Sequence, residues 1–105
     1  MYLVIFRNRK RPDMDGAAYA DDAARMVELA SQQTGFLSFK SFAADDGEVV
    51  AISEWADEAS ARAWGRHPDH ATVQARGRSE YYAEYTSISA DNPHVRRFAA
   101  DGGSR

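Results

Sequence analysis

From Tyr2 to Arg9 the chain is rich in β-branched and aromatic residues, and alternation places Tyr2, Val4, Phe6 and Asn8 on one face and Leu3, Ile5, Arg7 and Arg9 on the other. This predicts a first strand, ended by Arg11-Pro12-Asp13. Between Asp13 and Gln33 the period changes: Tyr19, Ala23, Met26, Val27 and Ala30 recur at helical spacing, with Asp13 or Asp15 available as the N-cap and Gly35 placed to end the helix. Residues 35–44 alternate weakly, Asp45-Asp46-Gly47 forms a turn, and residues 48–55 are again β-rich, so a hairpin is expected. Asp57 caps a short helix through Ala59, Ala63 and Trp64, which Gly65 and Pro68 break, and a second helical piece runs from about Asp69 to Ala75. The expected last strand is Ser79 to Ser89, with Tyr81, Ala83 and Tyr85 on one face and Tyr82, Glu84, Thr86 and Ile88 on the other.

The order βαββαβ implies an α+β, ferredoxin-like domain over residues 1–89: a four-stranded antiparallel sheet with its helices on one side. The other side then exposes more apolar area than a monomer ordinarily leaves wet, so a two-fold homodimer packed sheet against sheet is expected. Residues 90–105, with Asn92-Pro93, Arg96-Arg97 and Gly102-Gly103-Ser104, read as a surface tail whose Val95 and Phe98 are available to dock on the partner subunit.

Composition narrows the classes. A chain of 105 residues that is 44% hydrophobic and 28% charged is an ordinary single globular domain. The formal charge of −3 offers no basic footprint for nucleic acid or an anionic membrane. With no cysteine, disulfides, thiolate metal sites and cysteine nucleophiles are excluded. The apolar run Tyr2–Phe6 is too short for an export signal, and no stretch approaches the roughly 18 apolar residues of a membrane helix, so a cytoplasmic protein is expected.

Most of the candidate chemistry lies between Trp55 and Tyr82: Trp55-Ala56-Asp57, Trp64-Gly65-Arg66-His67-Pro68-Asp69-His70, Gly77-Arg78 and Tyr81-Tyr82. Together with a first strand closing in Asn8, the strand-end Glu54-Trp55 and a tyrosine-rich last strand, these residues resemble the antibiotic biosynthesis monooxygenase (ABM) family over about residues 2–89. The resemblance implies a dimeric α+β barrel. It also implies one of several activities: oxygenation without flavin or metal, quinol oxidation, or haem degradation. In the haem-degrading branch, Asn8 and Trp64 match two working positions, but the imidazole expected about ten residues beyond the Trp is Gln74 here, which weighs against haem as a cofactor. Pro68-Asp69-His70 fits the Pro-x-His pattern of the quinol-type members. The resemblance thus implies cofactor-independent oxygenation of a small or polycyclic phenol or quinol, with a haem-binding relative and a non-catalytic ligand-binding or stress-associated dimer as alternatives.

Oxygenation without a cofactor makes the substrate anion reduce dioxygen, so the protein needs a base, donors for the anion and a dry pocket. His70 is the candidate base, since an imidazole titrates near neutral pH. Asn8 and the Trp64 indole are candidate donors, and Tyr2, Phe6 and Tyr81 candidate substrate contacts. Each also has a purely architectural reading: Asn8 as a strand end, Trp64 as a core anchor, His70 as a helix-start residue, and the tyrosines as cross-strand partners. His67 and His70 with Asp69 lack a third ligand nearby, so no metal is expected, and no glycine-rich phosphate loop is present.

Overall fold

The computed structural model describes residues 1–100; the Gly102-Gly103-Ser104 end of the expected tail lies outside the described residues. Strands β1 (Tyr2–Lys10), β2 (Phe36–Ala43), β3 (Val49–Trp55) and β4 (Tyr82–Asp91) form one antiparallel sheet in the order β2-β3-β1-β4. Helices α1 (Gly16–Ser31), α2 (Glu58–Gly65) and α3 (Pro68–Arg76) complete the ferredoxin-like arrangement. Of the two possible caps for α1, Asp15 is used, accepting the Ala18 N–H at 3.0 Å. Asp57 does the same for α2, taking the Ser60 N–H at 2.8 Å. The break between α2 and α3 is made by His67, whose Nδ1 accepts the Asp69 N–H at 3.2 Å, and by Pro68, whose missing N–H costs nothing in a first helical turn.

The core is concentrated at one end of the layer between sheet and helices. Met26 and Ala30 of α1, Trp55 at the end of β3 and Trp64 of α2 are its buried members, and Tyr2, Phe36, Leu29 and Val73 pack around them. Trp55, only 2% exposed, meets Phe36 edge-on at 5.5 Å and lies 6.5 Å from Trp64 at a 24° tilt. The helix-facing row of β1 is Tyr2, Val4, Phe6, Asn8, as alternation requires. On the other side of the sheet, Ile52, Ile5 and Ile88 lie directly across from one another on neighbouring strands. Ile88 and Phe42 on that side are 44% and 49% exposed.

The C-terminal strand departs from expectation. It begins at Tyr82, not Ser79, because residues Gly77–Tyr81 continue α3 as a π-helical turn. Pairing of Arg9 with Glu84 and of Lys10 with Tyr82 leaves Ala83 as the extra residue of a β-bulge. The bulge resets the alternation, so Tyr82 and Tyr85 share the helix-facing side instead of opposing each other. Gly77 is required here: a Cβ on it would come within 2.7 Å of the Tyr82 ring. Beyond β4, residues 93–100 adopt no regular structure, and Val95 and Phe98 are 48% and 92% exposed.

Gly35 joins α1 to β2 at φ +84°, where a Cβ would lie 2.1 Å from Ser60 Oγ and 2.5 Å from Ser60 Cβ, while its carbonyl accepts the Ala56 N–H at 2.7 Å. Backbone strain and overpacking combine there, so Gly35→Ala is expected to lower stability by about 2–4 kcal/mol in urea denaturation. Gly16→Ala, whose Cβ would meet nothing within 4 Å, is expected to be neutral or mildly stabilising in the same assay.

Candidate functional site

Beyond the aromatic core the residues facing one another across the layer become small, including Ala23, Ala24, Ala51, Ser41, Ser53 and Ser87. Short side chains cannot span the separation that the core sets, and a cavity of about 620 Å³ results. That lies within the usual range for small-molecule sites, roughly 300–1,000 Å³. Phe6, Tyr82 and Tyr85 form one wall, with ring centroids 5.1–5.9 Å apart.

His70, Asn8 and Trp64 all line this cavity. The imidazole of His70 stacks on the Trp64 indole at 4.3 Å and 11°, and its Nδ1 lies 3.0 Å from the Trp64 carbonyl oxygen. That carbonyl is left near the end of α2 by the helix break, and it also accepts the His67 N–H at 3.0 Å. Since a carbonyl only accepts, the proton of the neutral ring sits on Nδ1 and Nε2 carries the lone pair. Burial lowers the His70 pKa below its ordinary value, more than the bond to the Trp64 carbonyl raises it, so the neutral ring is favoured at pH 7.

Asn8 is 3% exposed, and its Oδ1 accepts from the Lys10 ammonium. An ammonium has no acceptor, so the orientation of the amide follows: the Asn8 NH₂ is the group left to donate. Phe6 lines the cavity, whereas Tyr2 does not; it packs against the Trp55 cluster. Tyr81 lies at the cavity on the π-helical turn and not on a strand, and its hydroxyl is already committed. Gln74 also lines the cavity.

Tyr81 belongs to a cluster that the sequence did not reveal. Asp22 of α1 accepts from the Tyr81 hydroxyl and from Arg76 Nη1, both at 2.6 Å on the same Oδ2. Asp22 is 8% exposed, and its partners lie 54 and 59 residues away, so no local spacing signals the cluster. The Tyr81 hydroxyl, then Arg76, holds the Asp22 pKa below the ordinary carboxylate range, overcoming desolvation, while hydrogen bonding to Asp22 raises that of Tyr81. Arg11 secures the turn from the other side: its backbone N–H and Nε donate to the carbonyls of Tyr81 and Tyr82 at 2.8 and 3.0 Å, and Nη2 to that of Arg78 at 2.7 Å. The carbonyls of the wide turn are thereby satisfied, and Tyr81 and Tyr82 stay aimed inward.

Because the folded state lowers the Asp22 pKa, its contribution is complete above the ordinary carboxylate value of 3.8 and is lost as pH falls toward the lowered one. Asp22→Asn is expected to cost about 1–2 kcal/mol at pH 7. Denaturation followed from pH 7 to pH 3 is expected to show a shallower acid loss in the variant than in the wild type.

The family described as antibiotic biosynthesis monooxygenase (ABM) matches residues 1–76. The uncharacterised protein YqjZ of Bacillus subtilis (strain 168) is 36% identical over 84 residues, covering 80% of this chain and 72% of that protein. Among solved structures, Rv0793 from Mycobacterium tuberculosis superposes with a TM-score of 0.78 at 16% identity, over 91% of this chain and 98% of that one. SnoaB from Streptomyces nogalater, described as a cofactor-independent oxygenase, does so with a TM-score of 0.74 at 17% identity, over 90% and 94%. At those identities the structures support the fold alone, whereas the match over residues 1–76 establishes descent: the chain belongs to the ABM family.

Proposed function

We propose that this protein is an ABM-type monooxygenase that oxygenates a small or polycyclic phenol or quinol in the cavity between sheet and helices, without a cofactor. The observation that carries the reading is the His70 ring stacked on Trp64 at the wall of a largely apolar cavity, with its Nδ1 3.0 Å from the Trp64 carbonyl oxygen, an arrangement that suits a neutral ring protonated on Nδ1. Nε2 is then the base: it takes the hydroxyl proton of the substrate, the anion passes one electron to dioxygen, and the substrate radical and superoxide combine at carbon to a hydroperoxide that loses water to leave the quinone, the substrate supplying every electron. Asn8 supplies an N–H donor for the oxyanion, and Trp64 and Phe6 hold the ring in plane. SnoaB, which shares this fold, is described as a cofactor-independent oxygenase, and this reading extends that description to the present cavity. Gln74, an amide where the haem-degrading branch has an imidazole, counts against an iron-porphyrin site, and a haemin titration is expected to show no Soret shift.

The reading includes a homodimer closed over the Ile5, Ile52 and Ile88 side of the sheet, with Val95 and Phe98 of the tail against the partner, in the cytoplasm. Sedimentation equilibrium is expected to give a dimer, and Ile5→Glu to give monomers, because a charge at the centre of that face cannot be desolvated without a partner. Wild-type monomers at all concentrations would remove the dimer.

Oxygen uptake with hydroquinones and anthrone-like phenols is expected in the wild type, and His70→Ala is expected to lose about a hundredfold or more in rate. Since burial lowers the His70 pKa below 6.5, the wild-type rate should hold from pH 7 through that value and fall only as more acidic solutions protonate Nε2. Equal rates in the two proteins would take His70 out of the mechanism.

A further inference from the structure

Lys10 ends β1 beside Arg7, Arg9 and Arg11, and by composition it is one more solvated cation. The three arginines have partners: Arg7 bonds Glu48, Arg9 bonds Asp46, and Arg11 bonds the carbonyls of Arg78 and Tyr82. Lys10 has no carboxylate within ion-pair distance among the described residues. It turns to the helix-facing side, donates to Asn8 Oδ1, and places Nζ 4.7 Å from the Tyr19 ring centroid and 5.5 Å from that of Tyr82. A half-buried ammonium held by one amide and two ring faces has only neutral partners. Cation–π contacts offset part of its lost hydration, and an anion nearby would offset more.

The charges around the cavity favour the same conclusion. Asp22 is the one carboxylate lining it among the described residues, and Arg76 and Tyr81 already hold it. His70 is kept toward its neutral form by burial, Arg78 places a cation at the exposed rim, and Lys10 bears on the cavity through Asn8. Facing Lys10 itself are Asn8 on its own strand, Tyr19 of α1 and Tyr82 of β4, the last held protonated by burial and by its tyrosine neighbours. Drawing density out of the amide oxygen makes the Asn8 N–H a stronger donor.

We infer that Lys10, acting through Asn8 as a positioning residue, makes the cavity select an aromatic ligand whose oxygen is ionised, a phenolate or enolate, over the neutral form of the same ligand. This rests on the proposed use of the cavity for a phenol. Only a proton changes place, from the ligand hydroxyl to His70 or solvent, and no other bond is made or broken.

The test uses 7-hydroxycoumarin, whose ionisation is visible in its absorption, and 7-methoxycoumarin, which cannot ionise, titrated against the full chain from pH 6 to pH 9. The wild type is expected to bind the hydroxyl probe more tightly as it ionises and to lower its apparent pKa when bound. Lys10→Met, with unchanged circular dichroism, is expected to lose about tenfold in affinity for the anion, one pKa unit of preference, and to keep its affinity for the methoxy probe. Lys10→Arg is expected to restore the preference. If Lys10→Met leaves the bound ionisation where it was, or weakens both probes equally, Lys10 is a packing residue and the inference falls while the cavity reading stands. If neither probe binds the wild type, the cavity reading falls and takes the inference with it.

Discussion

Everything in this molecule depends on how far the helices stand from the sheet, and that distance is set at one end by aromatic packing. Trp55, Trp64, Phe36 and Met26 fill the layer where β3 ends and α2 begins. Interiors are close-packed, so such a wedge cannot compress. Where the facing residues shrink to alanine and serine the same separation persists, and a cavity remains. Filling the layer throughout with large side chains would gain stability and remove the site.

One tryptophan links the scaffold to the cavity wall. Trp64 packs on Trp55 with one edge of its environment and on the His70 imidazole with another, and its carbonyl fixes which nitrogen of that ring is protonated. The helix break between Gly65 and Pro68 is what leaves the carbonyl available and turns His70 back over the indole. The π-helical turn and the bulge at Ala83 work similarly at the opposite strand: both sacrifice regular pairing, and together they bring Tyr81, Tyr82 and Tyr85 to one cavity. Arg11 and the Asp22 cluster hold that irregular segment, so the polar interactions of the interior serve geometry more than net stability.

Much of the architecture was legible along the chain because it is written in local signals. Alternation from Tyr2 to Arg9, the Asp45-Asp46-Gly47 turn, a cap at Asp13 or Asp15, of which the structure uses Asp15, the cap Asp57, and Pro68 each act within a few residues, and each marks an element that the structure contains. The end of the chain misled for an equally local reason. Strict alternation from Ser79 put Tyr81 on a strand and Tyr82 opposite Tyr85, but alternation cannot register a five-residue turn or one inserted residue, which depend on Arg11 and β1.

The residues of the candidate site divide along the same line. Asn8, Trp64 and His70 stood out through their resemblance to family positions, and alternation put Asn8 and Phe6 on one face of β1; all four line the cavity. Tyr2 obeys the same alternation and yet lies in the core, since its place along the strand puts it beside Trp55. By itself, then, the sequence determined the elements, their order, the family and the face from which the site is built. Only the tertiary structure decided that Asp22 holds Tyr81 and Arg76, that Lys10 reaches Asn8 and two tyrosine rings, and which imidazole nitrogen is free. The physical reason is range. Propensity and periodicity act over a few residues, whereas burial, charge compensation and cavity volume belong to groups that meet only when distant segments pack.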